Sequence, residues 1–168
     1  MGKMSRYAQC RLSTVLKSIK NSKEILTNST EDWGEDKILT SHLGVAYASG
    51  LSKNSSWNQE DAVVPVMKHF AAHGSPQGGH NTAPFMGHGN RQVLEQLLVP
   101  FQAAFDLGGA RGVMMAYNEL DDVPAPVSPM LYDALAEWGY DGFVIADDLG
   151  KHQCVRKGAG LGANKSKA

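Results

Sequence analysis

The chain has 168 residues, of which 42% are hydrophobic and 20% charged. That is the length of one domain with enough apolar content for a core, and it excludes a disordered chain, a collagen-like repeat and a coiled coil. Net charge is −1, yet residues 1–23 hold six basic residues and no acid, residues 151–168 hold five and no acid, and residues 24–150 hold all 17 acids against five bases.

Residues 1–27 therefore open the chain as a basic tail. Their lack of an apolar run leaves no secretory signal visible, and the basic, Ser-containing character of residues 1–23, which hold no acid, loosely resembles an organelle transit peptide. From Asp36 to Lys53, Leu39, Leu43, Ala46, Tyr47, Gly50 and Leu51 recur at helical spacing, which predicts a helix with that stripe facing the core. Val63 to Phe70 is a Val-rich apolar run of the kind that forms a buried strand. Residues 74–90 are rich in Gly, Pro, Asn and His and read as a long loop. Arg91 to Leu107 is a second amphipathic helix, with Pro100 expected to kink or break it and Gly108-Gly109 to stop it. Gly112 to Tyr117 is a second apolar strand, and Asp121 to Val127 a turn-rich loop. Ser128-Pro129 is an N-cap followed by proline at the first helical position, opening a helix that runs through Leu131, Leu135 and Trp138 to Gly139. Gly142 to Ala146 is a third apolar strand, ending in Asp147-Asp148. Residues 151–168 form the second basic tail.

Helices alternating with unbroken apolar strands predict an α/β fold of parallel strands buried by helices. No run of 18 apolar residues exists, so no membrane span is expected. An acidic body repels phosphate backbones, so nucleic acid is not expected as a partner. Cys10 and Cys154 lie in the two tails with no C-x-x-C, which points to no zinc or redox motif. Gly158-Ala-Gly160-Leu-Gly162-Ala163 fits G-x-G-x-x-A but follows no strand, so no dinucleotide and no other cofactor is expected.

Each predicted strand ends in polar residues: Lys68-His69, Tyr117-Asn118 and Asp147-Asp148. In parallel α/β sheets the C-terminal strand ends share one face, and that face carries the active site. There an Asp can act as nucleophile, general base or metal ligand, and Lys, His and Tyr can donate hydrogen bonds to a polyhydroxylated ligand. A neighbouring Lys68 keeps such a carboxylate ionised. A metal site is not expected: His69 and His73 are four apart but leave a strand, and His80 and His88 lie in the Gly-rich segment.

Four segments then carry a resemblance: EDWGEDKILTSHLGVAYASGL (31–51), VMKHFAAHGSPQGGHNTAP (66–84), RQVLEQLLVPFQAAFDLGGARGVMMAYNELDDVPAP (91–126) and EWGYDGFVIADD (137–148). In that order they resemble glycoside hydrolase family 3, of the β-glucosidase and β-xylosidase type. The resemblance implies an incomplete TIM-like (β/α)8 barrel over residues 28–150, from the family's N-terminal catalytic domain. It implies a retaining β-glycosidase acting on terminal non-reducing β-D-glucosyl units of a glucoside or oligosaccharide. Asp147 takes the nucleophile's place. Lys68 and His69 match the pair that hydrogen-bonds sugar hydroxyls, Tyr117 a residue lining the sugar subsite, and Met114 an apolar wall residue. Family members are often secreted; this sequence leaves the compartment open.

The departures are specific. Asn28 stands where the family usually has a sugar-binding Arg, three residues before Glu31. Asp148 stands where Trp or Tyr often follows the nucleophile, and its charge beside Asp147 is expected to raise one of the two pKa values if both are buried. The acid/base residue is unknown and expected outside this chain, because the family commonly supplies it from a later domain. A partial barrel leaves two open sheet edges, through which self-association is expected. The alternative expectation is a non-catalytic family remnant or a carbohydrate-binding fragment.

Overall fold

A computed structural model describes residues 12–15, 33, 36–56, 59–73 and 88–147. Four parallel strands form its sheet: β1 (Leu12–Val15), β2 (Val64–Phe70), β3 (Gly112–Met115) and β6 (Phe143–Ile145), side by side in that order. Register aligns Leu12 with Val64, Val66 with Gly112 and Phe143, and Met67 with Val113 and Val144. The intervening helices belong to the TIM-barrel-like architecture that the resemblance implies. β1 falls inside residues 1–27, the segment that composition reads as a tail. No helix among the described residues is long and apolar enough to cross a membrane.

The alternation of strand side chains divides the sheet into two faces. On one, Met67, Phe70, Val113 and Met115 join Val93, Leu98, Phe101 and Leu131 in a continuous core. Phe70 meets Phe101 edge-on at 5.1 Å between ring centroids, a favoured aromatic geometry. On the other, Gly112 lies between Val66 and Phe143. A Cβ there would come within 2.7 Å of both, so the close approach of these two side chains requires glycine.

Helix α1 (Lys37–Ser52) starts where the Asp36 carboxylate accepts the Leu39 N–H at 2.7 Å. It ends in three consecutive left-handed residues, Lys53, Asn54 and Ser55. The buried side is not the expected stripe. Thr40, Ser41, Gly44, Ala48 and Ser52 are buried, whereas Leu39, Leu43 and Tyr47 are exposed. Small side chains let α1 lie close to the following helical segment. The Ser52 hydroxyl donates to the Gly108 carbonyl at 3.3 Å, and a Cβ on Gly108 would sit 3.0 Å from that of Ala48.

The second helix is interrupted as Pro100 requires, but further upstream. A short α2 (Asn90–Gln92) widens into a π-turn segment (Val93–Leu97), and α3 (Val99–Asp106) starts anew. Pro100 thereby occupies the first turn of α3, where its missing N–H leaves no bond unmade. The turn-rich stretch resolves into a hairpin, β4 (Glu119–Leu120) with β5 (Val123–Pro124). Asp121 and Asp122 both take positive φ, as its two-residue turn requires. A 3₁₀ turn (Ala125–Val127) then leads to α4 (Pro129–Glu137), which Ser128 precedes in extended conformation. Opposite the polar strand ends, Arg111 and Asp141 form an ion pair between β3 and β6.

Candidate active site

Because the strands are parallel, the residues that follow β2, β3 and β6 emerge at one rim of the sheet. β2 contributes Lys68 and His69 from its last turn of chain, β3 contributes Met114 and, just beyond its end, Tyr117, and β6 leads to Asp147. Met114 aligns with Ile145 across β3 and β6. The Ala116 N–H bonds the Phe70 carbonyl at 2.7 Å, carrying the β2–β3 connection to the rim.

One contact at this rim joins two of the expected residues. His69 Nε2 lies 3.3 Å from Asp147 Oδ2. The imidazole is buried, and the carboxylate retains 27% of its side-chain exposure. The carboxylate thus meets a buried ring on one side and keeps part of its surface open to solvent. The His69 ring also sits 4.5 Å from that of His73, centroid to centroid. The peptide bonds Lys68–His69 and Phe70–Ala71 are cis.

Lys68, expected to hold the carboxylate ionised, is half-buried at the same rim, and the contact that β2 makes with the Asp147 carboxylate comes from His69. Tyr117 is half-buried at the same rim. Asn118, next to it, was not singled out as a site residue. It is 3% exposed, its carboxamide makes no hydrogen bond to another described residue, and its backbone carbonyl accepts the Ala125 N–H at 2.9 Å. Its only signal in the sequence is a polar residue at the end of an apolar run.

Together these groups offer one carboxylate suited to nucleophilic attack or charge stabilisation, and an imidazole, an ammonium and a phenol suited to binding hydroxyls. Among the described residues, His, Cys, Asp and Glu side chains form no group of three placed to hold a metal ion. His88 is half-buried and pairs with Gln92 at 3.0 Å. Asn28, Glu31, His80, Asp148, the glycine-rich 158–163 stretch and both cysteines lie outside the described residues.

Comparison with known proteins places this rim in context. The profile of the glycosyl hydrolase family 3 N terminal domain matches residues 12–165, reaching into both segments that composition reads as tails. A β-xylosidase of Formosa agariphila is 33% identical over 126 residues, which cover 72% of this chain and 17% of that protein. A periplasmic β-glucosidase of Salmonella typhimurium is 31% identical over 134 residues, covering 77% of this chain and 17% of that protein. A β-glucosidase from Listeria innocua, solved in complex with gluconolactone, superposes with a TM-score of 0.73 at 28% identity, covering 83% of this chain and 19% of that one. The chain thus spans well under two thirds of the length of the relatives it matches.

Proposed function

The chain belongs to glycosyl hydrolase family 3, and from that premise we propose that it is a retaining β-glycosidase whose nucleophile is Asp147. The observation that carries this reading is the His69–Asp147 contact at the C-terminal rim of the parallel sheet. A carboxylate backed by a buried imidazole is oriented before substrate arrives, so less freedom is lost on reaching the transition state.

In this reading a terminal β-D-glucosyl unit binds with its hydroxyls on Lys68, His69 and Tyr117 and its apolar face toward Met114. An Asp147 oxygen attacks the anomeric carbon, the bond to the aglycone oxygen breaks, and that oxygen leaves with a proton from an acid. The resulting glycosyl ester is opened by water, whose proton returns to the same acid, with net retention. In retaining enzymes the two carboxyls stand about 5–5.5 Å apart. We assign no residue of this chain to the acid/base role.

A glycoside with a good leaving group needs little protonation, so it reports on the nucleophile alone. The folded 168-residue chain is incubated with 2,4-dinitrophenyl β-D-glucoside or β-D-xyloside and azide. The expected result is dinitrophenolate release with formation of the β-configured glycosyl azide, faster from the glucoside. Asp147→Asn lowers release about a thousandfold or more, as loss of a nucleophile does. Release that is absent from the folded chain, or unchanged by Asp147→Asn, overturns the proposal.

A further inference from the structure

We propose that His73 is a positioning residue of the rim: its imidazole packs against His69 and holds that ring in line with the Asp147 carboxylate. The proposal rests on the reading of Asp147 as a nucleophile and names the residue that keeps the nucleophile's partner in place. His69 Nε2 lies 3.3 Å from Asp147 Oδ2, and the His69 and His73 rings lie 4.5 Å apart between centroids, tilted by 45°. The three side chains thus form a line of contacts, His73 to His69 to Asp147, that runs from the turn after β2 to the residues after β6.

Strand geometry alone would keep the two histidines apart, since four residues of extended chain span about 13 Å. β2 ends at Phe70, however, and the chain turns at residues 71–73. The start of the turn is held where the Phe70 carbonyl accepts the Ala116 N–H at 2.7 Å. Within the turn Ala72 takes φ +70°, the left-handed conformation that a Cβ disfavours and that glycine adopts freely. Ala71 and Ala72 are both fully buried, so packing rather than solvent surrounds this turn. A left-handed non-glycine residue persists only where its surroundings over-determine it, and such strain gathers where a side chain must be aimed. The side chain that this turn delivers is His73, half-buried against the ring that meets the carboxylate.

The contact limits one motion. An imidazole turns about its Cβ–Cγ bond, and terminal torsions of this kind have broad minima. With centroids 4.5 Å apart the two rings are in van der Waals contact, so a turn of the His69 ring drives it into His73. His69 is itself only 7% exposed, which leaves the ring little other room. Held in this orientation, Nε2 keeps facing Oδ2, and the carboxylate meets an anomeric carbon from a narrower range of orientations. His73 needs no proton for this role; a flat ring of similar size performs it.

The test uses the full chain and 2,4-dinitrophenyl β-D-glucoside, with circular dichroism confirming the fold of every variant. The rate constant of the first dinitrophenolate release is measured at saturating substrate, together with the concentration that gives half of it. His73→Ala is expected to lower the rate constant about tenfold while the half-saturating concentration changes by less than about twofold. His73→Phe, which restores a flat ring, is expected to bring the rate back to within roughly threefold of the parent. If His73→Ala does not fold, His73→Gln takes its place. A folded His73→Ala with the parent's rate constant overturns the proposal. So does a loss confined to half-saturation, or a His73→Phe variant no faster than His73→Ala. If the parent chain releases no dinitrophenolate, the nucleophile reading is what falls, and the His69 ring resonances in ¹H–¹⁵N spectra decide the proposal instead. One narrow set in the parent that becomes several, or broadens by exchange, in His73→Ala upholds it; one narrow set in both overturns it.

Discussion

His69 and Asp147 come from separate strands and meet at 3.3 Å, so each fixes the other. His69→Ala removes the imidazole beside the carboxylate, and a donor to a charged group is worth about 1.5–3 kcal/mol. Glycosylation of Asp147 by an activated glucoside should then slow by roughly ten- to a hundredfold, with the fold intact by circular dichroism. An unchanged rate would assign His69 a packing role only. A second residue-scale prediction lies at the opposite end of the sheet. Tyr140 packs on Phe105 at 4.6 Å between centroids and donates to the Phe143 carbonyl at 3.0 Å. Burial pushes its phenol well above the ordinary value; Arg111 opposes the shift and Asp141 adds to it. The folded state therefore keeps Tyr140 neutral where the unfolded chain ionises. Stability from this group is full below about pH 10 and falls as pH rises beyond it. Denaturant titrations from neutral to alkaline pH should show that slope, and Tyr140→Phe should flatten it while costing about 1 kcal/mol at neutral pH. At this scale the identities of the rim residues were legible, because Lys68, His69, Tyr117 and Asp147 all sit at ends of apolar runs. Which side chain meets which was not. Lys68 and His69 are consecutive, and spacing alone does not tell that the imidazole meets Asp147 at 3.3 Å.

Elements were legible where periodicity coincides with burial, and illegible where packing distance overrides hydrophobicity. Helix α1 was placed by its spacing, yet its buried side was read from Leu39, Leu43 and Tyr47, which are exposed. A helix that must lie against Gly108 and the end of α3 buries small residues instead, and a hydrophobic stripe cannot report that. Ala48→Leu should accordingly destabilise the chain by about 1–3 kcal/mol through overpacking, read as a lower denaturation midpoint. A neutral effect would contradict the close α1 contact. The glycine pair after α3 was read as a stop signal, and the structure adds its reason. Gly109 has φ +69°, and a Cβ there would sit 2.1 Å from Ser55 Oγ. Gly109→Ala should cost about 1–3 kcal/mol from backbone conformation, with further loss from the clash. The hairpin at Asp121-Asp122 was hidden because two aspartates are an uncommon choice for two left-handed positions, and only a turn was expected there.

For the molecule as a whole, four motifs in order were enough to reach the family, and the profile match over residues 12–165 shows membership. β1 went unseen because a four-residue strand between basic residues has too little apolar length to stand out. The rim that carries Lys68, His69, Tyr117 and Asp147 lies within the acidic span, and β1 lies within the basic one. The central claim is that this rim presents Asp147 as a nucleophile. The most direct measurement is intact-mass and peptide-mapping spectrometry of the folded chain after incubation with an activated 2-deoxy-2-fluoro-β-glucoside. The account predicts a single glycosyl adduct on Asp147, lost in Asp147→Asn. A folded chain that acquires no adduct, or acquires one elsewhere, would contradict it.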